Sequence, residues 1–114
     1  MVIENWKSQT KKGTLELAIL LCLKDKEKYG LELIKDLQLS QTEEISEGTI
    51  YPLLYRLKTE QVLSSHWIES DSGHPRKYYS LTAKGRKLLL EMISYWKELS
   101  TKIQKLIGEK NERG

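Results

Sequence analysis

The residues best suited to recognition chemistry lie in SEGTIYPLLYRLKT, from Ser46 to Thr59. Ile50, Leu53, Leu54 and Leu57 recur at i, i+3, i+4 and i+7, which makes one buried stripe of a helix. With each residue turned 100° from the last, Gly48, Pro52, Tyr55 and Thr59 fall opposite that stripe, and Tyr51 and Arg56 flank them. A solvated helix would carry Glu, Lys and Gln there. Small or flat side chains instead allow close approach to the major groove of DNA. Tyr hydroxyls and Lys58 can reach phosphate, Arg56 can bind it bidentately, and Thr49 and Thr59 can bond phosphate or base edges. The competing reading is that the tyrosines pack on a neighbouring element or anchor a protein partner.

A second cluster follows in SDSGHPRKYYSL. His74, Arg76 and Lys77 sit at a turn-rich tip and could lie along a DNA backbone or enter the minor groove, where negative potential draws cations. Asp71 works against this, and His74 could equally be a solvated turn residue. The third candidate is Trp96, at the centre of an apolar seam beside the adaptable Met92; facing its own copy, it would either pack as core or bracket a flat aromatic ligand. Catalytic patterns are missing: His66 and His74 have no Cys or carboxylate at metal-ligand spacing, and there is no phosphate-binding loop, dinucleotide fingerprint or activated nucleophile. No metal, cofactor or enzyme activity is expected. The lone Cys22 lies in an apolar helix, where a thiol behaves as a small hydrophobe.

These residues need positioning elements. Gly13 and Thr14 precede LELAILLCLK, whose apolar residues almost encircle a helix and predict a central, buried one. KDKEKYG reads as a charged connection, and Leu31, Leu33, Ile34, Leu37 and Leu39 predict a second helix ending near Ser40. QTEEIS reads as a turn, with Ser46 as N-cap of the third helix and Pro52 in its second turn, as a kink or a later start. Leu63 to Glu69 and Arg76 to Leu81 then read as two strands of a hairpin with Gly73 and Pro75 at its tip. Three helices followed by this hairpin predict a mainly α winged helix-turn-helix over residues 1–81, its third helix in the recognition position.

From Thr82 nearly to Gly108 the helical period returns, with Leu89, Met92, Trp96, Leu99, Ile103 and Leu106 in a heptad seam and Ile93 beside it. A helix of about 26 residues is roughly 39 Å long, more than so small a body covers, so residues 82–114 are expected to form a homodimer interface with a frayed tail. A chain of 114 residues with 31% charged residues fits one globular domain that a dimer interface would help stabilise. Its net charge of +3 decides little, but the distribution does: four Lys face seven acids from Thr14 to Ile45, whereas seven Lys or Arg face four acids from Ser46 to Lys87. The apolar run Leu17–Leu23 is too short to span a bilayer and lacks a cleavage pattern, so a cytoplasmic location is expected.

The strings YGLELI, GTIYPLLYRL, LSSHW and SGHPRKYYSLTAKGR together resemble the PadR family of bacterial transcriptional regulators, over nearly the whole chain from Gly13 to about Leu106. That resemblance implies a homodimer bound to a pseudo-palindromic operator, usually as a repressor, and often released by a small phenolic or aromatic effector. It implies that the helix from Ser46 reads DNA and that Arg76 and Lys77 belong to the wing. Short members with one C-terminal helix, as here, include some that hold flat aromatic compounds at the dimer interface beside a Trp matching Trp96.

Overall fold

The computed structural model describes residues 2–39 and 46–108, in the order α1 (Val2–Cys22), β1 (Lys28–Tyr29), α2 (Gly30–Leu39), α3 (Glu47–Thr59), β2 (Leu63–Ile68), β3 (Arg76–Leu81) and α4 (Ala83–Ile107). The turn read over Gln41–Ile45 and the tail Lys110–Gly114 lie outside the described residues.

The architecture is mainly helical with a small antiparallel sheet ordered β1-β3-β2. Leu63 pairs with Leu81 and Trp67 with Lys77, so Leu63, Ser65 and Trp67 share a sheet face with their partners. The root of that face closes the core, in which Ile19, Leu20, Leu33, Leu37, Ile50, Leu54 and Leu57 are fully buried. Ile50, Leu54 and Leu57 are the stripe expected of the third helix.

Three local features depart from the sequence-based expectation. The first helix begins at Val2 and runs through Gly13 and Thr14 rather than after them. Gly13 is exposed with nothing near its Cα, so its cost is only the intrinsic one of a helical glycine, about 1 kcal/mol. The charged connection contains β1, whose two residues pair with Tyr78 and Tyr79 at the sheet edge. Pro52 stands inside an α3 that already begins at Glu47, so it does not mark a later start. A proline ring presses on the carbonyl four residues back and removes its donor; here that residue is the exposed Gly48, which has no side chain to crowd further.

The junction of α3 with the sheet is tightly specified. Gln61 adopts φ 65, the left-handed turn that ends α3. Thr82 Oγ1 donates to the Gln61 carbonyl at 2.6 Å, and the Thr82 N–H donates to the Val62 carbonyl at 3.1 Å. Thr82 is also the N-cap of α4, its hydroxyl accepting from the Gly85 N–H at 2.9 Å. A Cβ on Gly85 would run into the Val62 carbonyl oxygen, so only glycine permits this approach. Lys84 Nζ adds a bond to the Glu60 carbonyl at 2.9 Å. The first turn of α4 is thereby fastened to the end of α3.

Leu89, expected on the intermolecular seam, belongs instead to the core of its own protomer at 3% exposure. Its place one and a half turns into α4 puts it over the body, and Leu88, Met92 and Ile93 pack partly against the same core. Farther along, Tyr95, Trp96, Leu99, Ile103, Leu106 and Ile107 are exposed. The end of α4 is capped by Gly108 in the left-handed conformation, its N–H bonded to Gln104 and Lys105 carbonyls.

Candidate nucleic-acid interface and interhelical cleft

The outer face of α3 carries the residues expected there. Gly48, Thr49, Pro52, Tyr55, Lys58 and Thr59 are all exposed, and Tyr55 retains 74% of its surface. Ser46 occupies the N-cap position with an extended backbone, but its hydroxyl meets Thr49 Oγ1 at 3.1 Å rather than a backbone N–H. Thr59 Oγ1 donates to the Tyr55 carbonyl at 2.9 Å.

Two residues of this set are held by the protein itself. Tyr51 lies over Gly30, where a Cβ would collide with its ring and hydroxyl. Burial, then the charge of Glu47, raise its pKa, so its hydroxyl stays a donor well past neutrality. Arg56 is gripped by Glu60 on its own helix and Glu16 on α1, and these hydrogen bonds raise its pKa further. Any phosphate reaching this guanidinium must compete with two carboxylates.

The wing begins where α3 leaves off. His74 is exposed at the tip, and its carbonyl accepts from Ser70 Oγ at 2.6 Å. Arg76 lies over the Tyr29 ring at 4.6 Å, and Lys77 Nζ lies 5.8 Å from the Trp67 ring and 5.9 Å from that of Tyr79. Tyr78 meets Tyr29 edge to face at 5.3 Å, while His66 stacks on Tyr78 and reaches Glu27 at 3.2 Å. Between the wing and the start of α2 opens a cleft of about 360 Å³ lined by Tyr29, Tyr51, Trp67, Tyr79, Arg76 and Lys77 among others. Trp67 escaped the sequence reading. Its signal was the strand alternation, which puts it beyond Leu63 and Ser65 on the core face but past the end of the core.

A larger cleft of about 530 Å³ runs between α1 and α4. Gln9, Thr10, Gly13, Thr14 and Leu17 form one wall; Met92, Tyr95, Trp96 and Leu99 lie on the other, with Glu91 as the carboxylate at its edge. Met92 and Trp96, singled out from the sequence, therefore line one space, and the α1 wall is the part that spacing within α4 could not reveal. Among the described residues no group of three His, Cys, Asp or Glu could hold a metal ion, and no helix is long and apolar enough to cross a membrane.

Helices α2 and α3 with the β2–β3 wing define a winged helix-turn-helix, the class of fold used by many transcriptional regulators. A sequence model of the transcriptional regulator PadR-like family matches residues 19–91, and the chain belongs to that family. A PadR-like transcription factor from Bacteroides fragilis is 44% identical over 90% of this chain and 98% of its own, with a TM-score of 0.75. A PadR-like transcriptional regulator from Bacillus cereus is 37% identical over 90% and 99% of the two chains, with a TM-score of 0.81. A PadR family regulator from Eggerthella lenta is 33% identical over 96% and 95%, with a TM-score of 0.82. The family and these structures are regulators of transcription rather than enzymes.

Proposed function

We propose that this PadR-like transcriptional regulator is a homodimeric repressor whose two α3 helices enter successive major-groove segments of a pseudo-palindromic operator, about 34 Å apart. The observation that carries the reading is the outer face of α3: exposed Gly48, Thr49, Pro52, Tyr55, Lys58 and Thr59, free of carboxylate after Glu47 until Glu60, beside the Arg76 and Lys77 wing. The exposed apolar side of α4 from Tyr95 to Ile107 supports dimerisation, because a monomer would leave that row in water. Residues 1–81 carry the duplex-reading body in this proposal and 82–114 the coupling between protomers.

The α1–α4 cleft supports a regulatory role. A flat aromatic or phenolic compound seated beside Trp96 and Met92 releases the operator if it binds the two tilts of α4 unequally. The rival reading is a winged-helix module for protein association only, with Tyr51 and Tyr55 as anchors. Titration of labelled random-sequence duplex at low salt, followed by anisotropy, separates them. Binding that falls steeply with salt supports the duplex reader, and a flat trace removes it. Sedimentation of Ile103→Glu, expected to be monomeric, tests the seam.

A further inference from the structure

Trp67 is a large ring left 66% exposed on a small sheet, at a place where the core has already ended. Isolated exposed apolar residues need no explanation, but this one adjoins a concave surface with a particular composition. The cleft beside it offers tyrosine and tryptophan rings, two cations and, among the residues lining it, no carboxylate. Of the nearby acids, Glu32 accepts from the Tyr29 N–H at 3.1 Å, Asp36 pairs with Lys28, and Glu47 acts on Tyr51 from the α3 side.

The cations are held in readiness. Lys77 is the cross-strand partner of Trp67, and its ammonium sits between the Trp67 and Tyr79 rings. Arg76 lies on the Tyr29 ring. Long side chains braced on rings lose less freedom when they meet an anion, and neither cation is neutralised by a carboxylate in this cleft. Tyr51 joins the same cleft from α3, so its occupant also lies beside the reading helix.

We infer that this cleft seats one phosphate of the operator backbone together with its deoxyribose, with Lys77 on the phosphate and Trp67 against the apolar face of the sugar. Trp67 thereby joins the interface as a contact that fixes how the wing sits on the duplex, independent of base sequence. The inference rests on the duplex-binding reading above. An anionic flat small molecule would match the same charge. The position next to Tyr51 favours the polymer, because the cleft adjoins the helix that enters the groove in that reading.

The test uses the full chain carrying 5-fluorotryptophan, in which Trp67 is identified by the resonance lost in Trp67→Phe. Random-sequence duplex is titrated at low salt with anisotropy of a labelled duplex in parallel. The Trp67 resonance is expected to shift and saturate together with the anisotropy. Trp67→Ala should weaken binding at least five-fold without changing the slope of log affinity against log salt, Trp67→Phe should recover much of the loss, and Lys77→Gln should lower that slope by about 1. A flat anisotropy trace overturns the duplex reading itself. Rising anisotropy with an unmoved Trp67 resonance and undiminished binding by Trp67→Ala overturns only the seat. A Trp67 shift produced by benzoate and not reversed by duplex assigns the cleft to small anions and likewise overturns it.

Discussion

Arg56 on α3 donates from Nη2 to Glu16 Oε1 on α1 at 2.8 Å, while Nη1 bonds both oxygens of Glu60 at 3.1 and 3.0 Å. One guanidinium thus ties α3 to the helix that forms a wall of the large cleft, two residues from Thr14 and adjacent to Leu17. The pairing also restrains a cation that would otherwise be available to phosphate.

Removing one competitor should release it. Glu16→Gln is expected to tighten binding to random duplex about two- to five-fold, in line with the roughly 0.2–1 kcal/mol of an exposed ion pair. Arg56→Ala should weaken binding modestly and erase the effect of Glu16→Gln in the double variant, measured by anisotropy at fixed salt. Equal affinity of Glu16→Gln and wild type would mean that Arg56 never reaches the duplex.

Two glycines should respond oppositely to the same substitution. Gly13→Ala places a methyl in open space within a helix and should stabilise the fold by up to about 1 kcal/mol. Gly85→Ala drives a methyl into the Val62 carbonyl, a backbone atom that cannot swing aside, and should cost about 1–3 kcal/mol or more. Chemical denaturation midpoints at constant slope read both.

How far the sequence alone reaches can be seen in particular residues. The stripe of α3, the wing and the long final helix follow from period and turn chemistry, which are local properties. Glu60 as partner of Arg56 is legible from its i+4 spacing, whereas Glu16 lies 40 residues away and is brought there only by packing of α1 on α3. Gly30 and Gly85 look like ordinary helix-breaking residues until Tyr51 and Val62 are seen against them. Leu89 fits the heptad perfectly well, yet the body occupies its side of α4; periodicity identifies a face without saying what covers it.

The α1–α4 cleft makes a fluorescence prediction. In Trp6→Phe/Trp67→Phe protein, where Trp96 is the sole indole, a flat aromatic dye should quench emission saturably. Leu17→Gln, on the opposite wall, should weaken that response several-fold, and replacing Trp96 by Ala in wild type should lower dye affinity at least as much. An unchanged dye affinity in the Trp96→Ala protein removes Trp96 from the site.

Alkaline pH should destabilise the fold. Burial raises the pKa of the Cys22 thiol above 9.0, and those of the Tyr51 and Tyr79 hydroxyls above 10.0; the hydrogen bond to Asp36 raises that of Lys28 above 10.5. Each group holds its proton more tightly when folded, so the contribution is complete below the unfolded value and is lost as pH rises through the folded one. The melting temperature is expected to hold through pH 8 and to fall progressively from about pH 9 upward. Cys22→Ala should delay the onset of that fall. A melting temperature constant to pH 11 would contradict the burial of these groups.

The fastening of Thr82 and Gly85 to Gln61 and Val62 gives α4 a stiff root. From there the rod extends 25 residues, about 37 Å, and much of that length overhangs the body. Whatever binds along the outer length of that rod works on the turn between α3 and β2 through a long arm rooted at Thr82 and Gly85.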